Sequence, residues 1–135
     1  MRIAKKRVLL IDGHEDVLIS LERLLENEGY DTVTAWSAKD AFAALDAPSF
    51  DLILVNEYLP DVDAEDVFRE LTQRRIPTPC FVMQPSAPQI MECRKFRMLG
   101  AVDVVCKRAN SNLLTSVNNF FELNTKRAKS KQATA

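Results

Sequence analysis

The chain reads as an α/β protein, a parallel five-stranded sheet with helices on both faces, and three observations predict it. Short apolar runs alternate along the whole sequence with stretches whose apolar residues recur at helical spacing. The runs are apolar throughout, without the in-out alternation of a half-exposed strand, as strands covered on both faces are. The connections are short, so the repeating unit is a β-α pair.

The first strand falls at 8–11, Val8-Leu9-Leu10-Ile11, and the first helix at about 16–28, with Leu18, Leu21 and Leu25 on one face and Gly29 as its stop. The second strand, about 32–35, is the least apolar and is expected at a sheet edge. Ser37 with Asp40 three residues on signals the start of an Ala-rich second helix that ends before Pro48. The third strand is 52–55, followed by a helix at about 64–73 with Val67, Phe68 and Leu71 inward. Pro77 and Pro79 lead into the fourth strand, 80–83. The fourth helix runs from about Pro88, a natural first-turn residue, to Leu99, and Gly100 stops it. The fifth strand is 102–106. The last helix, about 112–125, carries Leu114, Val117 and Phe121 at helical spacing, and a polar basic tail, 126–135, is expected to be disordered.

Composition narrows the function classes. With 135 residues the chain fits one domain, 1–125, plus the tail, and 47% hydrophobic residues suffice for a core. A net charge of −1 gives no whole-molecule attraction to nucleic acid or an anionic membrane. Basic residues gather at the ends, Arg2, Lys5, Lys6 and Arg7 and then Lys126, Arg127, Lys129 and Lys131, as solubilising flanks. Cys80, Cys93 and Cys106 lack metal-ligand spacing and sit in apolar stretches, which suits a reducing compartment. No leader precedes the first strand and no run approaches the ~18 residues of a membrane span, so a cytoplasmic protein is expected.

Three apolar strands run into polar groups: the first into Asp12, the third into Asn56, the fifth into Lys107. In parallel sheets ligands bind beyond the C-terminal strand ends, where the winding reverses. A carboxylate, an amide and an ammonium therefore converge where a reactive site would lie. The middle one is an amide and is no nucleophile.

The segments VLLIDGHEDVL, DLILVNEYLPDVDA and GAVDVVCK, in this order and at these separations, resemble the receiver domain of bacterial two-component response regulators. The resemblance covers about 6–123. It implies a flavodoxin-like, doubly wound (βα)5 three-layer sandwich with strands in the order 2-1-3-4-5. It also implies a role in phosphorelay signalling, with a histidine kinase, output or adaptor protein as partner and a homodimer through the fourth helix, fifth strand and fifth helix.

Carried over residue by residue, the resemblance gives a degenerate site. Of two adjacent Mg²⁺-holding acids, the first is Asp12 and the second position is Gly13. The phosphoacceptor position is Asn56. The hydroxyl residue that contacts the phosphoryl group is replaced by Gln84, the switch aromatic by Val104, the proline after the pocket lysine by Arg108, and the loop glycine by Ala64. Lys107 itself is present.

Phosphoryl transfer needs an oxygen nucleophile and a cation against the transferring charge. An amide oxygen is a poor nucleophile, and Mg²⁺ held by Asp12 alone is expected to bind weakly or not at all. Removing acids also removes repulsion, about 4 kcal/mol for like charges 4 Å apart near a protein surface. Lys107 is expected to close the pocket on Asp12 or on the Asn56 carbonyl oxygen, with Gln84 filling the phosphoryl space. A non-proline cis bond costs about 2.5–4 kcal/mol, so the Lys107–Arg108 bond is expected trans, with a remodelled loop.

Elsewhere, His14 reads as a solvent-facing loop residue, Trp36 as partly packed on a helix, and Asp61 and Asp63 as helix caps before the third helix despite metal-like spacing. Phe120, Phe121 and Leu123 widen the apolar face of the last helix. The expected function is a non-enzymatic pseudo-receiver acting through protein contacts, its output supplied by a partner because no DNA-binding or enzymatic domain follows. The alternatives are a working receiver with another acceptor, Asp12 or Asp61, and a small flavodoxin-like nucleotide binder. The latter needs a Gly-rich phosphate loop, and Gly13 alone is too little.

Overall fold

The computed structural model describes residues 5–46, 50–87, 89–108 and 110–133, the side chains of 110, 111 and 125–133 excepted. Strands and helices alternate in the order β1 (Arg7–Ile11), α1 (Glu15–Asn27), β2 (Asp31–Ala35), α2 (Ala38–Leu45), β3 (Leu52–Asn56), α3 (Ala64–Gln73), β4 (Cys80–Gln84), α4 (Ile90–Met98), β5 (Asp103–Cys106) and α5 (Asn110–Ala133). Every pairing is parallel and the spatial order is β2-β1-β3-β4-β5. This is the doubly wound three-layer fold, with the polar β2 at an edge. The winding reverses between β1 and β3. Ile11 pairs with Val55, so Asp12 and Asn56 leave the sheet side by side at that reversal.

The strands are apolar throughout because both faces are covered. Leu9, Ile11, Ile53, Val55 and Val82 pack with Phe42, Val67, Phe68, Leu71 and Phe96 of α2, α3 and α4. The alternate residues, Leu10, Leu54, Phe81 and Met83 among them, pack with Leu18, Leu21 and Leu25 of α1 and Leu113 and Val117 of α5. Each such side chain contributes roughly 1.5–3 kcal/mol on full burial, so the two cores fix the sheet from opposite sides. Phe120 sets its edge on Phe81 and Phe121 tilts against Tyr30, while Leu123 stays exposed. Burial pushes the Cys80 thiol well above its ordinary range, which leaves it an inert core residue.

Several boundaries differ from the sequence expectation. Asn56 and Gln84 are the last residues of their strands, because Asn56 still pairs with Met83 and Gln84 with Cys106. Helix α4 begins at Ile90 with Gln89 as N-cap, and Pro88 lies outside the described residues, as does Pro48. The buried anchor at the start of α5 is Leu113, one turn before Val117; Leu114, a residue further round, is half-buried. The helical backbone of α5 continues through Ala133, past the expected end at Thr125, over good helix formers (Lys, Arg, Ala, Gln). The basic side chains of the tail, and Arg2, lie outside the described residues.

Side chains cap the starts of α2 and α3. Ser37 Oγ accepts from the Asp40 N–H at 3.2 Å, as expected. Asp63 caps α3 in a reciprocal capping box with Asp66. Asp61 does something else. Its carboxylate accepts from the N–H groups of Ala38 and Lys39, both at 3.1 Å, so a residue of the β3–α3 loop caps the neighbouring helix α2.

The slight burial of Asp61 pushes its carboxyl up, but the backbone hydrogen bonds from Ala38, Lys39, Asp61 and Val62 outweigh it and hold the group below its usual 3.8. A folded value below the unfolded one means stability that is full above pH 3.8 and fades as pH falls through the folded value. Asp61→Asn is therefore expected to be less stable than the native chain at about pH 6, with the gap shrinking by about pH 3. Urea unfolding at both pH values measures it, and a gap unchanged by pH contradicts it.

Candidate functional site

Asp12 follows β1 and has no exposed surface. A carboxylate there must be paired, and three donors converge on it. Lys107 Nζ donates to Oδ2 at 2.9 Å, its side chain only 10% exposed. Oδ1 accepts the His14 backbone N–H at 3.0 Å, an Asx-type turn, and lies 2.9 Å from the His14 ring Nδ1. Because a carboxylate only accepts, Nδ1 carries the proton and Nε2 faces outward on a ring that is 70% exposed. His14 does face solvent, but it is tied to Asp12. The Asp-x-His spacing carried that signal, since an Asx turn places residue i+2 on the carboxylate.

Asn56 is 5% exposed and turns its amide toward its own loop: Nδ2 donates to the Tyr58 carbonyl at 2.8 Å. A carbonyl accepts only, which fixes the orientation of the amide. Asn56 Oδ1 is left buried with no hydrogen-bond partner. Of the two closures open to Lys107, the structure has the one on Asp12.

Gly13 lies against Pro60 of the β3–α3 loop. A Cβ at position 13 would sit 2.8 Å from both Cγ and Cδ of the proline ring, closer than carbon atoms approach without something moving. The proline ring therefore fills the space a side chain at position 13 would need, a contact the sequence did not announce.

The side chain of Gln84, a residue 3% exposed, makes no hydrogen bond to Asp12, Asn56 or Lys107. Its Nε2 donates instead to Glu57 Oε2 at 3.0 Å and Glu92 Oε2 at 3.1 Å, and its Oε1 is buried without a partner. The expectation that Gln84 fills the phosphoryl space is corrected: two carboxylates on the α4 side hold its amide. Val104 is buried in the cluster beneath α2, α3 and α4, where it leaves no aromatic ring to move. The Lys107–Arg108 bond is trans, Arg108 is exposed, and Ala64 is fully buried as the first residue of α3.

Strand topology thus brings together Asp12, Gly13, Asn56 and Lys107, with His14, Tyr58 and Pro60 added to them, and places Gln84 in a neighbouring acidic cluster. Among the described residues no three His, Cys, Asp or Glu side chains group to hold a metal ion. A hollow of about 450 Å³ between α2 and α3, bordered by Phe42, Asp61, Val67 and Arg74, contains none of the strand-tip residues. Trp36 and Tyr58 stand 54% and 68% exposed. Among the described residues no helix is long and apolar enough to cross a membrane.

Comparison with known proteins agrees with this architecture. The family model described as the response regulator receiver domain matches residues 8–118. The alkaline phosphatase synthesis transcriptional regulatory protein PhoP of Bacillus subtilis is 30% identical over 78 residues, 58% of this chain and 32% of that protein. The response regulator SaeR of Staphylococcus aureus is 26% identical over 114 residues, 84% of this chain and 49% of SaeR. The chain thus spans between a third and a half of the length of these relatives. A CheY-like receiver domain protein from Methanospirillum hungatei superimposes with a TM-score of 0.80 at 23% identity, over 92% of this chain and 99% of that one. The receiver domain of the Francisella response regulator 1452 gives 0.81 at 20% identity, over 89% and 99%. With the receiver model matching from β1 into α5 and the strand order of that fold in place, the chain belongs to the response regulator receiver domain family.

Proposed function

We propose that this chain is a two-component signalling module that takes no phosphoryl group at position 56 and passes its signal by protein contact. The observation that carries this is the buried Lys107–Asp12 ion pair at 2.9 Å. It neutralises the one acid left in the pocket from within the chain. Asn56 offers an amide where a nucleophilic oxygen would be required, and its NH₂ is committed to the Tyr58 carbonyl.

Magnesium fits these residues poorly. One carboxylate is present, each of its oxygens already accepts from Lys107 or His14, and the Tyr58 carbonyl is taken by Asn56. A hydrated Mg²⁺ would have to displace the lysine to gain a single charged ligand. The other acid considered as an acceptor, Asp61, spends its carboxylate on the start of α2. The module is accordingly a non-enzymatic, cofactor-free one, and we place it in the cytoplasm.

Its partner is a signalling protein, a histidine kinase or an output or adaptor protein. The relatives PhoP and SaeR are regulators longer than this chain, so what it is coupled to lies beyond the segment they share. The α4–β5–α5 face offers the contact surface, for a partner or a second copy. Ile90, Met91 and Met98 of α4 are 76%, 74% and 88% exposed, with Val102 and Leu123 also open.

Intact mass after incubation with acetyl phosphate and Mg²⁺ tests the reading. Neither the native chain nor Asn56→Asp is expected to gain a phosphoryl group; in the variant a new carboxylate meets the Tyr58 carbonyl and Gly13 still supplies no second acid. Ready labelling of either protein overturns the proposal. A second expectation concerns the ion pair. Lys107→Met strands a buried carboxylate and should cost about 3–5 kcal/mol, whereas Asp12→Asn combined with Lys107→Met should recover most of it. Urea unfolding of the three chains measures both, and a Lys107→Met chain as stable as the native one would show that the pair is not what neutralises Asp12.

A further inference from the structure

Charge is segregated between two helices on opposite sides of the sheet. Helix α1 packs on one face with α5, and α4 packs on the other with α2 and α3. α1 carries four acids, Glu15, Asp16, Glu22 and Glu26, against Arg23 alone. α4 carries Arg94, Lys95 and Arg97 against Glu92, whose carboxylate is engaged by the Gln84 amide. Among the described residues no ion pair joins the four α1 acids to a lysine or arginine, and Arg94 has no acidic partner. Lys95 and Arg97 reach Glu65 and Asp103 only at 3.8 Å each, long pairs on exposed side chains that hold them weakly.

Both surfaces have apolar groups among the charges. In α1, Ile19 is 43% exposed and shares one face with Glu15, Glu22 and Glu26 at helical spacing. In α4, the exposed Met91 and Met98 stand on one stripe with Arg94 between them. With Lys95 and Leu99 they border a hollow of about 450 Å³ on the α3 side of the helix. Methionine is flexible at its thioether and adapts to an incoming apolar side chain.

We infer that the chain associates head to tail, the acidic α1 face of one copy seated on the basic α4 face of the next, with Ile19 entering the methionine-lined hollow. The inference rests on the reading of the chain as a module that acts by protein contact, and names one such contact. A second copy is the occupant because the chain itself carries the complement, opposite charge around an apolar centre. A symmetric contact through α4 would instead bring two sets of cations together, which repel. Since α1 and α4 lie on opposite faces of the sheet, the two surfaces cannot meet within one chain. Each contact between copies leaves one α1 and one α4 free, so the association is open-ended and not a closed dimer.

Sedimentation velocity on the full chain is the test. At about 10 mM salt the weight-average mass is expected to rise with concentration past that of a dimer. At about 1 M salt, where the screening length falls to about 3 Å, it should return to that of the monomer. Two variants separate the surfaces. Arg94→Glu with Met98→Glu spoils α4 and keeps α1, whereas Glu15→Gln, Ile19→Ser and Glu26→Gln together spoil α1 and keep α4. All five side chains are exposed, so the fold is retained. Each variant alone is expected to self-associate at least tenfold more weakly. An equimolar mixture should form a dimer and go no further, because one sound contact remains, and that dimer shows both variants to be folded. A native chain still monomeric at about 1 mM overturns the inference and leaves α4 to an acidic partner. So does a native chain that stops at a dimer, a variant that associates as the native chain does, or a mixture that stays monomeric. No phosphoryl donor is present, so the result is independent of whether position 56 can be labelled.

Discussion

A carboxylate with no exposed surface must be neutralised or protonated, and the site end of this molecule is arranged around doing so for Asp12. Its cation comes from the far side of the sheet. Between β1 and β5 lie β3 and β4, three strand spacings of roughly 4.8 Å each, so Lys107 reaches Asp12 across the tips of two intervening strands. The bond works as a strap over the C-terminal edge. Lys107 is itself anchored by its backbone N–H on the Gln84 carbonyl at 2.8 Å, and Asp12 by its N–H on the Ala35 carbonyl at 3.2 Å. The pair therefore ties together strands from the middle and both halves of the sheet, in addition to the two apolar cores.

The cores were legible before any coordinates because they rest on periodicity. Leu18, Leu21 and Leu25 in α1 and Val67, Phe68 and Leu71 in α3 are buried where helical spacing put them. Runs such as Val8 to Ile11 had to be central because nothing polar interrupts them. Where periodicity is ambiguous the reading slipped by one residue: adjacent Leu113 and Leu114 both fit a stripe, and only packing against Val117 chooses between them. Backbone helicity past Thr125 was missed for a related reason. A polar, charged stretch carries no burial signal, although its residue types are compatible with helix.

The candidate site was legible in its members and less so in its contacts. Asp12, Asn56 and Lys107 were placed together by strand topology alone, which needs no side-chain geometry. What a long or short polar side chain touches depends on loops. Asp61 caps α2 because the β3–α3 loop folds back over that helix start, a long-range contact that local capping rules do not contain. Gln84 goes to Glu57 and Glu92 because its strand parity puts it on the α4 face of the sheet, with Val82 and Cys80, while Asn56 shares the parity of Leu54 on the other face. His14 and Pro60 owe their importance wholly to what they lie against.

The contact of Gly13 with Pro60 bears on how such a pocket changes over successive substitutions. Once a residue without Cβ stands beside that ring, the loop can settle into the vacated volume, and the proline then forbids the side chain whose absence admitted it. Placing any side chain at this position asks for a shift of the Pro60 ring or its loop. The contact thus sets what position 13 can carry from outside its own strand, through a ring held on another loop.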